Sequence, residues 1–157
     1  MGYEILLKEA DDMGLIVKEA YLRTKDGFCK GNRIAINERL ITDAEKRCVL
    51  AEEIGHYKTT TGDITDQTKT INRKQELVAR RWGHQQIVTL VSLIEAFEYG
   101  AQSSYEIAEF LEVPEKYLNE CIEDYRRKYG FYFMLEQYCI YFEPNLKIGK
   151  IFNPVIK

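Results

Sequence analysis

Three residues within about one helical turn carry the most pointed chemistry of this chain: Glu52, Glu53 and His56, in the run Cys48-Val-Leu-Ala-Glu-Glu-Ile-Gly-His56-Tyr57. Residues three and four apart on a helix share a face, so two carboxylates and an imidazole can look into one cleft. Such a set can hold a divalent cation and still leave one carboxylate to move protons. The usual pattern for that chemistry is H-E-x-x-H, in which two histidines bind the ion and the glutamate acts as general base. Here Glu52 stands at the first histidine position, so the motif is E-E-x-x-H. The chemistry turns on whether a carboxylate can replace an imidazole there.

His56 is one of only two histidines. A lone histidine on a helix is commonly structural, but a carboxylate packed beside an imidazole is costly unless a cation satisfies both. Gly55 is a second signal. Glycine inside a helix costs roughly 1 kcal/mol relative to alanine, which makes sense where something must approach the backbone closely. A zinc site also needs a third protein ligand, usually from another element. Glu76 is the candidate, sharing a helix face with Ala79, Gly83 and Ile87. Its alternative role is an ordinary surface pair with Arg80, four residues on. The other histidine, His84, lies about 12 Å further along the helix axis than Glu76, so the two cannot share an ion.

These side chains need two helices to position them. Thr42-Asp-Ala-Glu45 is a capping box that starts the first, expected to run to about Tyr57 and to stop at the Thr59–Gly62 cluster. Residues 62–70 read as a surface loop. The second helix is expected from about Asn72 through Trp82 to about Val91. Before this pair, Tyr3, Leu6, Ala10 and Met13 fall at helical spacing. Leu15 to Leu22 is β-rich, and Lys30-Gly31-Asn32 marks the turn of a hairpin in a small sheet. After the pair, Tyr105–Leu111 and Pro114–Tyr129 read as a short and then a long helix, ended by Gly130. Phe131–Phe142 is aromatic and β-prone, giving one or two closing strands. The resulting fold class is α+β, a single domain over residues 1–157. Its metal-binding core spans 1–92, with a helical hairpin and terminal strands over 93–157 packed on that core.

Composition narrows the function classes. The chain of 157 residues is 45% hydrophobic and 30% charged with a formal net charge of −3, so no general electrostatic attraction to nucleic acid is present. Its four cysteines are widely spaced and form no C-x-x-C pair. Without a secretory leader or a long apolar run, they read as reduced thiols in a cytoplasmic protein with no membrane partner. Leu6 stands where an N-myristoylation signal needs Ser or Thr. Tyr105 to Leu118 has the cadence of a helix-turn-helix, yet Glu115, Glu120, Glu123 and Asp124 would face phosphate with repulsion. A helical hairpin or a protein-binding surface fits better. Arg80, Arg81, Arg126, Arg127 and Lys128 read as solvated helix faces. Tyr57 adjoins His56 but is turned by about 100° from it, which should face it away from the ion.

Two segments carry a family resemblance. Ala51-Glu-Glu-Ile-Gly-His-Tyr57 and Asn72-Arg-Lys-Gln-Glu-Leu-Val-Ala-Arg-Arg-Trp82 resemble the ImmA/IrrE family of zinc-dependent endopeptidases. In that family a helix with H-E-x-x-H is followed by one with a glutamate three residues before an alanine, as Glu76 stands before Ala79. The resemblance is closest over residues 30–90 and extends to members carried by phages and mobile elements. It implies a zincin-like minimal core of small sheet and active-site helix. It also implies Glu53 as general base, Glu52, His56 and Glu76 as metal ligands, and a helix-turn-helix repressor as substrate or binding partner. Glu52 is the departure. Two carboxylates and a neutral histidine cancel the charge of Zn²⁺, weaken it as a Lewis acid, and make Mn²⁺ or Fe²⁺ more competitive. A retuned peptidase and a non-catalytic protein that sequesters the repressor are the two outcomes left open.

Overall fold

The computed structural model describes residues 2–60, 62 and 65–152. Residues 61, 63 and 64, part of the expected loop and of the helix-stopping cluster, lie outside the described residues. The chain is mixed α+β, with six helices and two three-stranded sheets among the described residues. It divides into two compact units, Met1–Ile87 and Val88–Lys157.

In the first unit, α1 (Tyr3–Asp12) buries Tyr3, Leu6 and Ala10, the stripe that its spacing predicts. The strands β1 (Ile16–Ala20), β2 (Gly27–Lys30) and β3 (Arg33–Asn37) form a sheet in the order β1-β3-β2. β2 and β3 are the expected hairpin, turned by Gly31 at a φ of 59°, a left-handed conformation that glycine adopts without a Cβ penalty. β1 runs parallel to β3. That order leaves β2 at an edge, with its outer backbone groups outside the sheet's own ladders. Ile34 and Ile36 of β3 point inward with Leu50 and Ile54 of the next helix, all at 2% exposure or less. Full burial of each such side chain stabilises the fold by about 2 kcal/mol.

That helix, α2 (Asp43–Thr59), starts as the sequence requires. Thr42 Oγ1 accepts from Glu45 N at 3.1 Å while Glu45 Oε2 accepts from Thr42 N at 3.2 Å. The second helix, α3, spans Thr70–Ile87 and stops short of the expected Val91. The reason is a local cap: Thr89 Oγ1 accepts from Ser92 N, which opens a separate helix, α4 (Leu90–Tyr99), closed by Gly100 at a φ of 111°.

The second unit holds α4, then α5 (Ser104–Leu111) and α6 (Glu115–Tyr129), the expected short and long pair. Gly130 caps α6, again at positive φ. β4 (Tyr132–Leu135), β5 (Tyr138–Tyr141) and β6 (Lys147–Lys150) close it in an antiparallel sheet of three strands rather than one or two. β6 carries a single large apolar residue, Ile148, and so gives no alternation to read. Leu93, Leu118, Cys121 and Ile140 form the centre of this unit, and Tyr125 donates to the Val88 carbonyl at 2.6 Å.

Candidate metal centre

α2 and α3 touch through small residues. A Cβ added to Gly55 would lie 2.3 Å from the Ala79 carbonyl oxygen, and one added to Gly83 would lie 3.0 Å from the Ala51 carbonyl carbon and the Glu52 nitrogen. Gly55 therefore meets Ala79, and Gly83 meets Ala51, in an antiparallel crossing whose backbones nearly touch. The glycine that looked out of place in the helix is where a neighbouring backbone enters. This close approach brings the polar residues beside the seam together.

One ligand atom each from Glu52, His56 and Glu76 lies within 4.8 Å of the others. His56 Nε2 is 3.3 Å from Glu76 Oε2. On the far side of the ring, His56 Nδ1 is 3.0 Å from Thr60 Oγ1. A proton on Nδ1, donated to that hydroxyl, leaves the Nε2 lone pair for an ion, the usual way an outer partner fixes a ligating histidine. Thr60 was not legible as a partner, because it sits in the run of threonines that reads as a helix stop.

Arg80 completes the cluster. Its Nε lies 3.6 Å from Glu52 Oε1 and its Nη2 lies 3.7 Å from Glu76 Oε1. Glu76 thus takes both roles the sequence allows, facing His56 with one oxygen and Arg80 with the other. Glu53 is 7% exposed and sits against β2. Gly27 makes that contact possible, since a Cβ there would lie 2.7 Å from Glu53 Oε1 and 2.6 Å from Val49 Cγ1. His84 is buried and does not line the cleft formed by these groups.

The cleft has a volume of about 1030 Å³. Lys25 to Gly31 form one wall, Glu52, Glu53 and His56 come from α2, and Glu76 and Arg80 come from α3. Tyr57 also lines it at 42% exposure.

Electrostatics separate the three carboxyls. Burial pushes Glu53 up to about 7, with Glu52 and Glu76 adding to the rise and His56 opposing it. Burial also raises Glu52, against the pull of Arg80, and Glu76 beside it adds to the effect. Glu76 is held below the ordinary carboxyl range, first by its hydrogen bond with His56. For His56 burial works the other way, but the bond to Glu76 and the surrounding carboxylates outweigh it and hold the imidazole above its ordinary value. Cys29, on the strand wall, is pushed up to about 11 by burial and by Glu53, so it stays a thiol at neutral pH.

Two carboxylates and an imidazole nitrogen on adjoining helices are the donor types that suit zinc, and the harder oxygens also suit manganese or iron. The excess of negative charge around His56 favours a divalent cation. The donor set fits such an ion, with Glu53 beside the ligands and open space before them.

The family profile of the IrrE N-terminal-like domain, a peptidase family, matches residues 12–123. No curated protein and no solved structure gives a significant match. Among the described residues no helix is long and apolar enough to cross a membrane.

Proposed function

The chain belongs to the peptidase family of the IrrE N-terminal-like domain, and on that premise we propose that it is a metal-dependent endopeptidase that cleaves a helix-turn-helix repressor of a phage or mobile element. The observation that carries this reading is the convergence of Glu52, His56 and Glu76 from two helices beside the buried Glu53, in an open cleft. The ligands are Glu52, His56 and Glu76, and the preferred ion is zinc. When bound, the ion supplies Lewis acidity, polarising the scissile carbonyl and acidifying a water molecule.

The side chains account for the rest. Glu53, with a carboxyl pushed up to about 7, can take a proton from the attacking water and return it to the leaving amine near neutral pH. Thr60 keeps the His56 ring turned so that Nε2 faces the cleft. The edge strand β2 forms the wall above Glu53, and its outer backbone groups can pair with an extended substrate segment. That mode suits a stretch of repressor chain drawn out between folded parts. Tyr57 also lines the cleft and offers a phenol hydroxyl as a donor to the carbonyl oxygen as it gains charge. A repressor substrate would place the protein in the cytoplasm.

One observation favours a second reading, a protein that sequesters the repressor without cutting it. Arg80 already offsets the charge of Glu52 and Glu76, so the pair has a cationic partner within the chain. Incubating wild type and Glu53→Gln with the repressor encoded beside the gene separates the two. Cleavage by wild type, lost in the variant while the metal stays bound, is the expected result. Repressor that stays intact with both proteins, yet co-purifies with both, refutes the peptidase reading in favour of sequestration.

A further inference from the structure

We infer that Arg80 is a positioning residue that makes a carboxylate at position 52 workable, by pairing with Glu52 and Glu76 from the rim of the cleft while leaving the space among Glu52, His56 and Glu76 to a divalent cation. The inference rests on the metallopeptidase reading.

Geometry is the first argument. Arg80 reaches two carboxylates on different helices with two different nitrogens, Nε to Glu52 and Nη2 to Glu76. A guanidinium can do this because its donors are fixed in a planar fork; an ammonium is a single point. At Glu76 the two oxygens are divided, Oε1 toward Arg80 and Oε2 toward His56. The separations of 3.6 and 3.7 Å are longer than the roughly 2.7–2.9 Å of a tight charge-assisted hydrogen bond. A guanidinium seated in the ion's own place would sit between the ligands in short bidentate bonds. Arg80 is instead 46% exposed in its side chain, at the rim.

Charge is the second argument. Glu52, Glu53 and Glu76, when ionised, bring three negative charges to one cleft, and a divalent cation offsets two. With histidine at position 52 the ion alone would balance the remaining carboxylates. With glutamate there, one negative charge is left over, and Arg80 is the cation that contacts both the added carboxylate and its neighbour. Its position therefore answers the one departure from the H-E-x-x-H pattern. Outer partners of this kind commonly change metal affinity about 10–100-fold.

The test is a titration of metal-stripped protein with zinc by calorimetry and with cobalt(II) by visible absorption. It compares wild type, Arg80→Gln, Arg80→Lys, Glu52→His and the double variant Glu52→His/Arg80→Gln. Arg80→Gln should weaken zinc binding about 10–100-fold and alter the cobalt spectrum, and Arg80→Lys should recover part of the loss. In the Glu52→His background the same Arg80→Gln change should cost clearly less affinity, because the coupling between positions 52 and 80 is removed and only the contact with Glu76 remains. Tighter zinc binding by Arg80→Gln would make Arg80 a competitor of the ion and overturn the inference. So would equal binding by wild type and Arg80→Gln, or an equal loss in both backgrounds, while the metallopeptidase reading stood. Metal bound by none of the proteins with glutamate at 52 would overturn both.

Discussion

Replacing Gly55 with alanine tests the frame on which the site depends, because two well-defined effects act on it with opposite signs. Helix propensity alone predicts that Gly55→Ala stabilises the protein by about 1 kcal/mol. The structure predicts the reverse. The new Cβ would lie 2.3 Å from the Ala79 carbonyl oxygen, short of ordinary contact by about 1 Å. That oxygen is backbone in the middle of α3, so it cannot rotate away as a side chain would, and the helices must part. Overpacking of this kind costs about 1–3 kcal/mol, and a backbone obstacle belongs at the upper end. The net destabilisation should be about 2 kcal/mol, a fall in Tm of roughly 4–8 °C for a chain of this size. The metal site should suffer more. His56 lies one residue past Gly55, and Glu76 three before Ala79, so parting the helices widens the 3.3 Å gap between Nε2 and Oε2. Metal sites tolerate only about 0.2 Å of error in ligand distance, so an opening approaching 1 Å should cost zinc affinity 10–100-fold or more. Urea unfolding and zinc calorimetry on the variant measure both quantities. Gly83→Ala, whose Cβ meets backbone at 3.0 Å, should be milder in both. A Gly55→Ala protein more stable than wild type, with unchanged zinc binding, would refute the packing of α2 on α3 described above.

Stripping the metal should expose a pH dependence that the loaded protein lacks. Glu53 has a folded-state value of about 7 against an ordinary 4.5, so its contribution of roughly 3 kcal/mol is fully present below 4.5 and is lost as pH rises through 7. His56, also raised, adds a term of the same sign, while the lowered value of Glu76 matters only as pH falls through the acid range. The Tm advantage of zinc-loaded over chelator-treated protein should therefore widen between pH 5 and pH 8; a constant or shrinking gap contradicts the assignment. Thr60→Ala should free the His56 ring and weaken zinc binding by about tenfold with little change in metal-free stability, read by calorimetry and thermal melting. Glu52→His restores two histidine ligands, so it should tighten zinc binding and speed cleavage at neutral pH by making the bound ion more electrophilic. Equal zinc affinity in the two proteins would remove Glu52 from the ligand set.

What could be read from the sequence depended on whether the signal was local. The capping box at Thr42 and Glu45, the hairpin turn at Gly31 and the helix end at Gly130 act within a few residues, and each falls where its chemistry requires. The clustering of Glu52, His56 and Glu76 was legible for a related reason: helix periodicity set two of them on one face, and the small residues Ala79 and Gly83 marked the seam on which the third had to lie. The break at Thr89 was harder to see, since Thr and Ser are tolerated inside helices and only their hydrogen bonds turn them into a cap. Arg80 was hardest of all. Its spacing from Glu76 explains it fully as a surface pair, and nothing local links it to Glu52, twenty-eight residues earlier on another helix. That link exists because Gly55 and Gly83 let the two backbones nearly touch. The glycines are therefore functional residues at one remove. They carry no chemistry, but the distance they permit turns an acidic helix face and an ordinary i,i+4 ion pair into one site that a divalent cation can enter.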